Sequence, residues 1–117
     1  MVSKKMFGQL EELASRGWGP VIRCLRESEG LKCYGLARRL LPDNSPTICQ
    51  IQSYATYLGR IQAGLDDPSP LVLLGLNQQF GISQSQLLRL DHHAYFYERR
   101  GARLAKRAVQ LRKLMAP

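Results

Sequence analysis

The chain has 117 residues, a formal net charge of +8 and a sequence pI near 9.9. This length corresponds to one domain, or to one domain with an appendage, and a hydrophobic share of 44% argues against a disordered chain. The excess of lysine and arginine favours a polyanionic partner such as nucleic acid, although a basic surface that only aids solubility would give the same balance.

The residue types that metal and enzyme sites require are scarce. The cysteines contain no Cys-x-x-Cys pair, and His92 and His93 are adjacent, so no metal site is expected. Asp91 before these histidines is interpreted as a polar helix start and not as part of an acid–base unit. We therefore expect neither catalysis nor a cofactor. No signal peptide or long apolar run is visible, which predicts a cytoplasmic protein without a membrane partner.

The N-terminal third is predicted to form three helices. Ser3 can cap the first, Gly17-Trp18-Gly19 interrupts it, and Pro20 suits the first position of the second. Gly30 ends the second helix, and the third places Leu36, Ala37 and Leu40 on one side. The predicted spans are residues 3–15, 20–30 and 31–41.

The middle of the chain is the most informative part. After a loop rich in Pro, Asn and Asp, either Ser45 or Thr47 can cap a long helix to about Ala63, which Gly64 ends. Ser69 followed by Pro70 starts the next helix. Gly81 ends that helix, and Ser83 caps a last short one.

This order of caps and core positions resembles the Cro/CI-type, or XRE, family of helix-turn-helix transcriptional regulators. The residues that carry the resemblance are Ile61, Gly64, Pro68-Ser69, Leu73-Leu74, Phe80-Gly81-Ile82-Ser83 and Leu87-Leu88. The resemblance implies an all-α, lambda-repressor-like five-helix DNA-binding domain over residues 18–90. An extra N-terminal helix (1–17) and a basic amphipathic C-terminal helix (91–117) would flank it. The stretch from Ala37 to Gly64 is longer than the corresponding stretch in the family. This insertion lengthens either the turn or the recognition helix, which is the helix that ends at Gly64.

The resemblance also assigns the DNA contacts. Base contacts fall on Ala55, Thr56 and Arg60. Arg60 can donate two hydrogen bonds to guanine, or it can pair with Asp66 or Asp67 instead. Tyr57 can stack on the DNA backbone or pack inward. DNA backbone contacts are expected from Gln52, Ser53, Tyr57, Arg38, Arg39, Arg99, Arg103 and Arg107.

The basic C-terminal helix has an apolar stripe. Tyr97, Leu104 and Leu111 repeat every seventh residue, with Ala108 beside them, which gives a period near 3.5. Such a stripe can pair with a second copy of the chain or fold back on its own domain. We expect dimerisation through these four residues, because a palindromic site on DNA calls for a dimer.

Together these features predict a sequence-specific DNA-binding transcriptional regulator. It would act as a homodimeric repressor, associated with the nucleoid, that blocks a promoter by occupying a palindromic operator on double-stranded DNA. No ligand domain is visible, so no small-molecule effector is expected. The alternative is an antitoxin-type or other protein-interaction module, whose basic tail binds a partner protein or nucleic acid without sequence specificity.

Overall fold

The protein is all-α in the computed structural model. The structure describes residues 2–41, 44–95 and 101–116, and in the last range it describes the side chains from residue 106 onward. The helices in these ranges are α1 (Lys4–Ala14), α2 (Trp18–Ser28), α3 (Cys33–Leu40), α4 (Ile48–Gln62), α5 (Pro70–Phe80), α6 (Gln84–Tyr95) and α7 (Gly101–Met115). None of them is long and apolar enough to cross a bilayer. The all-α prediction is confirmed, and the finer lambda-repressor-like arrangement stays a prediction.

Side-chain caps set several helix starts. The Ser3 hydroxyl accepts a hydrogen bond from the Met6 amide at 3.1 Å. Thr47 and Gln50 form a reciprocal capping box, with the Thr47 amide donating to Gln50 Oε1 at 2.7 Å. Ser69 caps α5, as its spacing before Pro70 predicted. Because these caps satisfy amides that no helical carbonyl can reach, they fix where the chain turns into a helix.

The start of α2 differs from the prediction. The helix begins at Trp18, two residues before Pro20, and Gly17 precedes it with a φ of 102°. An L side chain rarely adopts that backbone conformation, so glycine permits the sharp change of direction after α1. The turn brings the Trp18 side chain into the core, where it is 4% exposed.

A single apolar core includes residues from both ends of the chain. Phe7 and Leu10 of α1 and Leu111 of α7 belong to the same buried cluster as Leu58 of α4 and Leu76 of α5. The helix α1 packs against α2 and α6, and α7 packs against α5 and α6. Helices α1 and α7 therefore share one core with the helices between them, and residue 91 lies inside α6. The division into segments 1–17, 18–90 and 91–117 stays a prediction.

Two helix contacts hold α3 and α4 in place. The helix α2 crosses α4 at Gly19, where a Cβ atom would lie 2.8 Å from the Gln62 carbonyl oxygen, so only glycine permits this approach. The helix α3 packs against α4 and α5, and its residues Leu36, Ala37 and Leu40 are all buried. Helix α3 ends at Leu40, and α4, which has 15 residues, begins at Ile48. The insertion relative to the family pattern stays a prediction.

Candidate nucleic-acid interface

Helix α4 has an apolar inner face and a polar outer face. Ile51, Leu58 and Ile61 are at most 4% exposed. The outer face carries four exposed residues, Gln52, Ser53, Thr56 and Arg60, which we call the α4 surface. Gln52, Thr56 and Arg60 are spaced by four residues and therefore follow one another along the same side of the helix.

Two of the three predicted base-contact residues are accessible. Thr56 and Arg60 are exposed, whereas Ala55 is half-buried and packs against the core. The Thr56 hydroxyl donates to the Gln52 carbonyl oxygen at 3.0 Å, so its proton is used within the helix. Thr56 thus offers its methyl group and an acceptor oxygen to a partner, and Ala55 lies at the edge of the surface.

Arg60 pairs with Asp66 in the loop that follows α4. Arg60 Nε donates to Asp66 Oδ2 at 2.5 Å, and the two side chains are 52% and 40% exposed. The structure therefore contains the ion pair with Asp66 that was predicted as an alternative to a base contact. Pairs this exposed contribute only about 0–1 kcal/mol. The guanidinium can consequently add or exchange a partner at small cost.

Tyr57 packs inward, which corrects its assignment as a DNA backbone contact. Its hydroxyl donates to the Asp67 carbonyl oxygen at 2.5 Å and accepts from the Ser69 amide at 2.9 Å. The side chain therefore fastens α4 to the loop before α5. The neighbouring Tyr54 ring lies 6.2 Å away, and burial raises the pKa of Tyr54 to about 12.

The two predicted backbone contacts on α3 have different environments. Arg38 is exposed. Arg39 lies over the Phe80 ring, 5.4 Å from its centroid, and its Nη1 is 3.4 Å from a carboxylate oxygen of Glu29. Both are on the helix that packs against α4.

Arg107 of α7 is buried, which corrects its assignment as a DNA backbone contact. Its Nε donates to Asp91 Oδ2 at 3.1 Å, and its Nη2 donates to Asp91 Oδ1 at 3.2 Å and to the Pro68 carbonyl oxygen at 2.5 Å. Trp18 Nε1 donates to the same carboxylate at 2.7 Å. Burial alone would lower the pKa of Arg107, but the hydrogen bonds and charge of Asp91 raise it above its ordinary value, so Arg107 is charged.

The predicted dimerisation residues face the chain's own core where the structure describes them. Leu111 is fully buried and Ala108 is half-buried. Of the two interpretations of the stripe, folding back on the domain is the one observed, because α7 lies on α5 and α6. Tyr97 and Arg99 lie outside the described residues, as do the side chains of Arg103 and Leu104.

Asp91 is the residue that the sequence interpretation placed wrongly. It lies within α6, is 2% exposed and holds Trp18 and Arg107, whereas a solvated helix start was expected. The available signal was helical spacing. Asp91 follows Leu87 and precedes Tyr95 by four residues, so it lies on the buried side of α6 between two core residues.

No family model matches the chain, and neither a curated protein nor a solved structure shows significant similarity to it. Among the described residues, no three His, Cys, Asp or Glu side chains come together in a group able to hold a metal ion. The function of the α4 surface therefore has to be inferred from its own geometry and charge.

Proposed function

We propose that the protein binds double-stranded DNA by inserting the outer face of α4 into the major groove, and that it acts as a transcriptional regulator. The observation that carries the proposal is the polar row on α4. Gln52, Thr56 and Arg60 are exposed along one side of a helix whose opposite side is locked in the core. A rigid helix with such a row presents side chains to base edges in a fixed register.

The dimensions and chemistry of this row suit the groove. A helix with its side chains is about 10–12 Å across and the major groove is about 12 Å wide, so one helix fits. The Gln52 amide has the donor and acceptor that adenine requires, and the Arg60 guanidinium can donate twice to guanine. The Thr56 methyl group can contact the methyl group of thymine.

The charges around the row support binding to a phosphate backbone. The chain carries a net charge of +8, and Arg38 and Arg39 lie on the helix packed against α4. Cations at the edge of a groove neutralise phosphates and release counterions, which makes binding weaker as salt increases. We expect Arg38→Ala to reduce the slope of log affinity against log salt by about one, without altering which sequence is preferred.

The oligomeric part of the proposal needs a surface other than the apolar stripe of α7. A repressor on a palindromic operator binds as a dimer. Leu111 and Arg107 are committed to the chain's own core, so they do not form the contact between subunits in this conformation. The spacing of half-sites in the preferred DNA would report the distance between the two α4 helices.

The decisive experiment is a selection of bound duplexes from a random double-stranded DNA pool. We expect the wild-type protein to enrich one motif, and Arg60→Ala to weaken binding to it by about 10- to 100-fold, which corresponds to the loss of one two-bond base contact. Arg112→Ala is the matched control, because Arg112 is an exposed arginine on α7. Enrichment of no motif, or equal effects of the two substitutions, would contradict the proposal and favour a module that binds polyanions or proteins without sequence preference.

A further inference from the structure

The loop between α4 and α5 is held on both sides. The Asp67 carbonyl oxygen and the Ser69 amide bind the Tyr57 hydroxyl on α4. The Pro68 carbonyl oxygen accepts from Arg107 on α7, and Pro68 itself is buried. Three consecutive residues after Asp66 are thus fixed by helices on either side, so the loop places the Asp66 carboxylate at a defined position beside Arg60.

Asp66 contacts Arg60 through a nitrogen that base recognition does not need. The hydrogen bond uses Nε of the guanidinium. In the described part of the chain, the hydrogen bonding of Arg60 involves neither of its terminal nitrogens. The edge formed by Nη1 and Nη2 is the one that can donate twice to O6 and N7 of guanine. The pair therefore orients the guanidinium without occupying this edge.

We propose that Asp66 is a positioning residue for Arg60 and makes it selective for a base edge over a phosphate; this inference rests on the proposed function. Two effects act together. An arginine already held in one orientation loses less conformational entropy when it binds a base. The Asp66 carboxylate also repels a phosphate that approaches the same guanidinium, which weakens non-specific contacts. Asp66 thus strengthens binding to the preferred sequence and weakens binding to all others.

The test compares the affinity of Asp66→Asn for two duplexes. One duplex carries the motif selected by the wild-type protein, and the other is a mixed-sequence duplex of the same length. We expect the ratio of the two affinities to fall by about three- to tenfold, because one base contact loses part of its discrimination. Binding to the mixed duplex should become tighter at the same time. Unchanged discrimination in Asp66→Asn, with the wild-type protein still selective, would overturn the inference and leave the proposed function intact.

A matched control separates this effect from the general gain of positive charge. Glu12→Gln removes an exposed carboxylate from α1. It should tighten binding to both duplexes alike and leave their ratio unchanged. If Glu12→Gln lowered the ratio as much as Asp66→Asn, net charge would explain the result and the assigned role of Asp66 would be wrong.

The same Asp66→Asn substitution in an Arg60→Lys variant shows whether Asp66 acts through Arg60. Arg60→Lys keeps the charge but has one terminal nitrogen and no Nε donor. In this background, Asp66→Asn should no longer change the ratio of affinities. A change that persisted in the lysine variant would show that Asp66 acts by another route. A wild-type protein with no preferred sequence would overturn the proposed function itself, which distinguishes the two failures.

Discussion

Two arginine–aspartate pairs in this protein have the same chemistry and opposite surroundings. Arg60 and Asp66 are joined at 2.5 Å at the edge of the α4 surface, with side chains 52% and 40% exposed. Arg107 and Asp91 are joined at 3.1 Å between α7 and α6, with side chains 9% and 3% exposed. Both arginines were predicted from the sequence to contact DNA. Of the two, Arg60 is exposed and Arg107 is buried.

The two environments imply different energies. Water solvates either member of the exposed pair when the other is removed, so the pair stabilises the fold by only about 0–1 kcal/mol. A buried charge that loses its partner cannot be solvated in the same way, and such a loss typically costs about 3–5 kcal/mol. The exposed pair is therefore suited to adjusting recognition, and the buried pair to holding the fold together.

The largest effect is expected for Asp91→Ala. This change leaves Arg107 charged and buried and removes the acceptor of Trp18 Nε1. We expect the free energy of unfolding to fall by about 3–5 kcal/mol, measured by urea denaturation followed by circular dichroism. A loss below about 1 kcal/mol, within the range of exposed pairs, would show that water reaches and solvates Arg107 despite its burial.

Leu111→Ala should be nearly as destabilising. The side chain is fully buried, and removal of a buried leucine typically costs about 2–5 kcal/mol. If Leu111 belongs to the chain's own core, any dependence of the urea midpoint on protein concentration should be the same in the wild-type protein and in Leu111→Ala. Leu114→Ala is the control, because Leu114 is 42% exposed and should change stability much less. A wild-type urea midpoint that rises with protein concentration, together with loss of this dependence in Leu111→Ala, would show that the apolar stripe of α7 forms a dimer contact.

Asp66→Ala is expected to change stability little. Because the pair is exposed, the free energy of unfolding should fall by no more than about 1 kcal/mol. The same urea experiment used for Asp91→Ala measures it, which makes the two substitutions a direct comparison of the two pairs. Equal losses in the free energy of unfolding for Asp66→Ala and Asp91→Ala would show that the exposed pair and the buried pair do not differ in their contribution to stability.

A last effect is confined to alkaline pH. Burial raises the pKa of Tyr54 from its ordinary value of 10 to about 12, so the unfolded chain ionises first as pH rises. Stability is then fully present below pH 10 and declines between pH 10 and about 12. Tyr54→Phe should make this decline shallower without changing stability at neutral pH. Part of the decline should remain, because burial also raises the pKa of Tyr95. A decline of the same steepness in Tyr54→Phe would show that Tyr54 ionises as freely in the folded protein as in the unfolded chain.

Local signals in the sequence predicted the helix ends well. Thr47 and Ser69 act as caps, and Gly81 has the left-handed conformation expected at the end of α5, because capping depends on residues only a few positions apart. The residues of the α4 surface were instead assigned through the family resemblance, and their contact with DNA stays a prediction. Whether Arg60 contacts a base or pairs with Asp66 or Asp67 was left open, since exposed charges have several accessible arrangements.

Contacts between distant parts of the chain could not be predicted. Trp18 and Asp91 are 73 positions apart, and no local pattern indicates that they meet. The apolar stripe of α7 is equally ambiguous, because a period near 3.5 suits a second chain or the chain's own core. An aspartate on a buried helix face does predict a buried cation, but the sequence offers 17 lysines and arginines as candidates.

The position of Arg107 has a consequence for biosynthesis. Chains leave the ribosome from the N-terminus at about 5–20 residues per second, so Asp91 emerges on the order of a second, and Trp18 on the order of ten seconds, before the Arg107 guanidinium that pairs with the carboxylate. Until then, the interior holds a negative charge without its counterion and lacks Leu111. Nascent α1 to α6 should therefore stay loosely assembled, and the final structure should consolidate only when α7 is released.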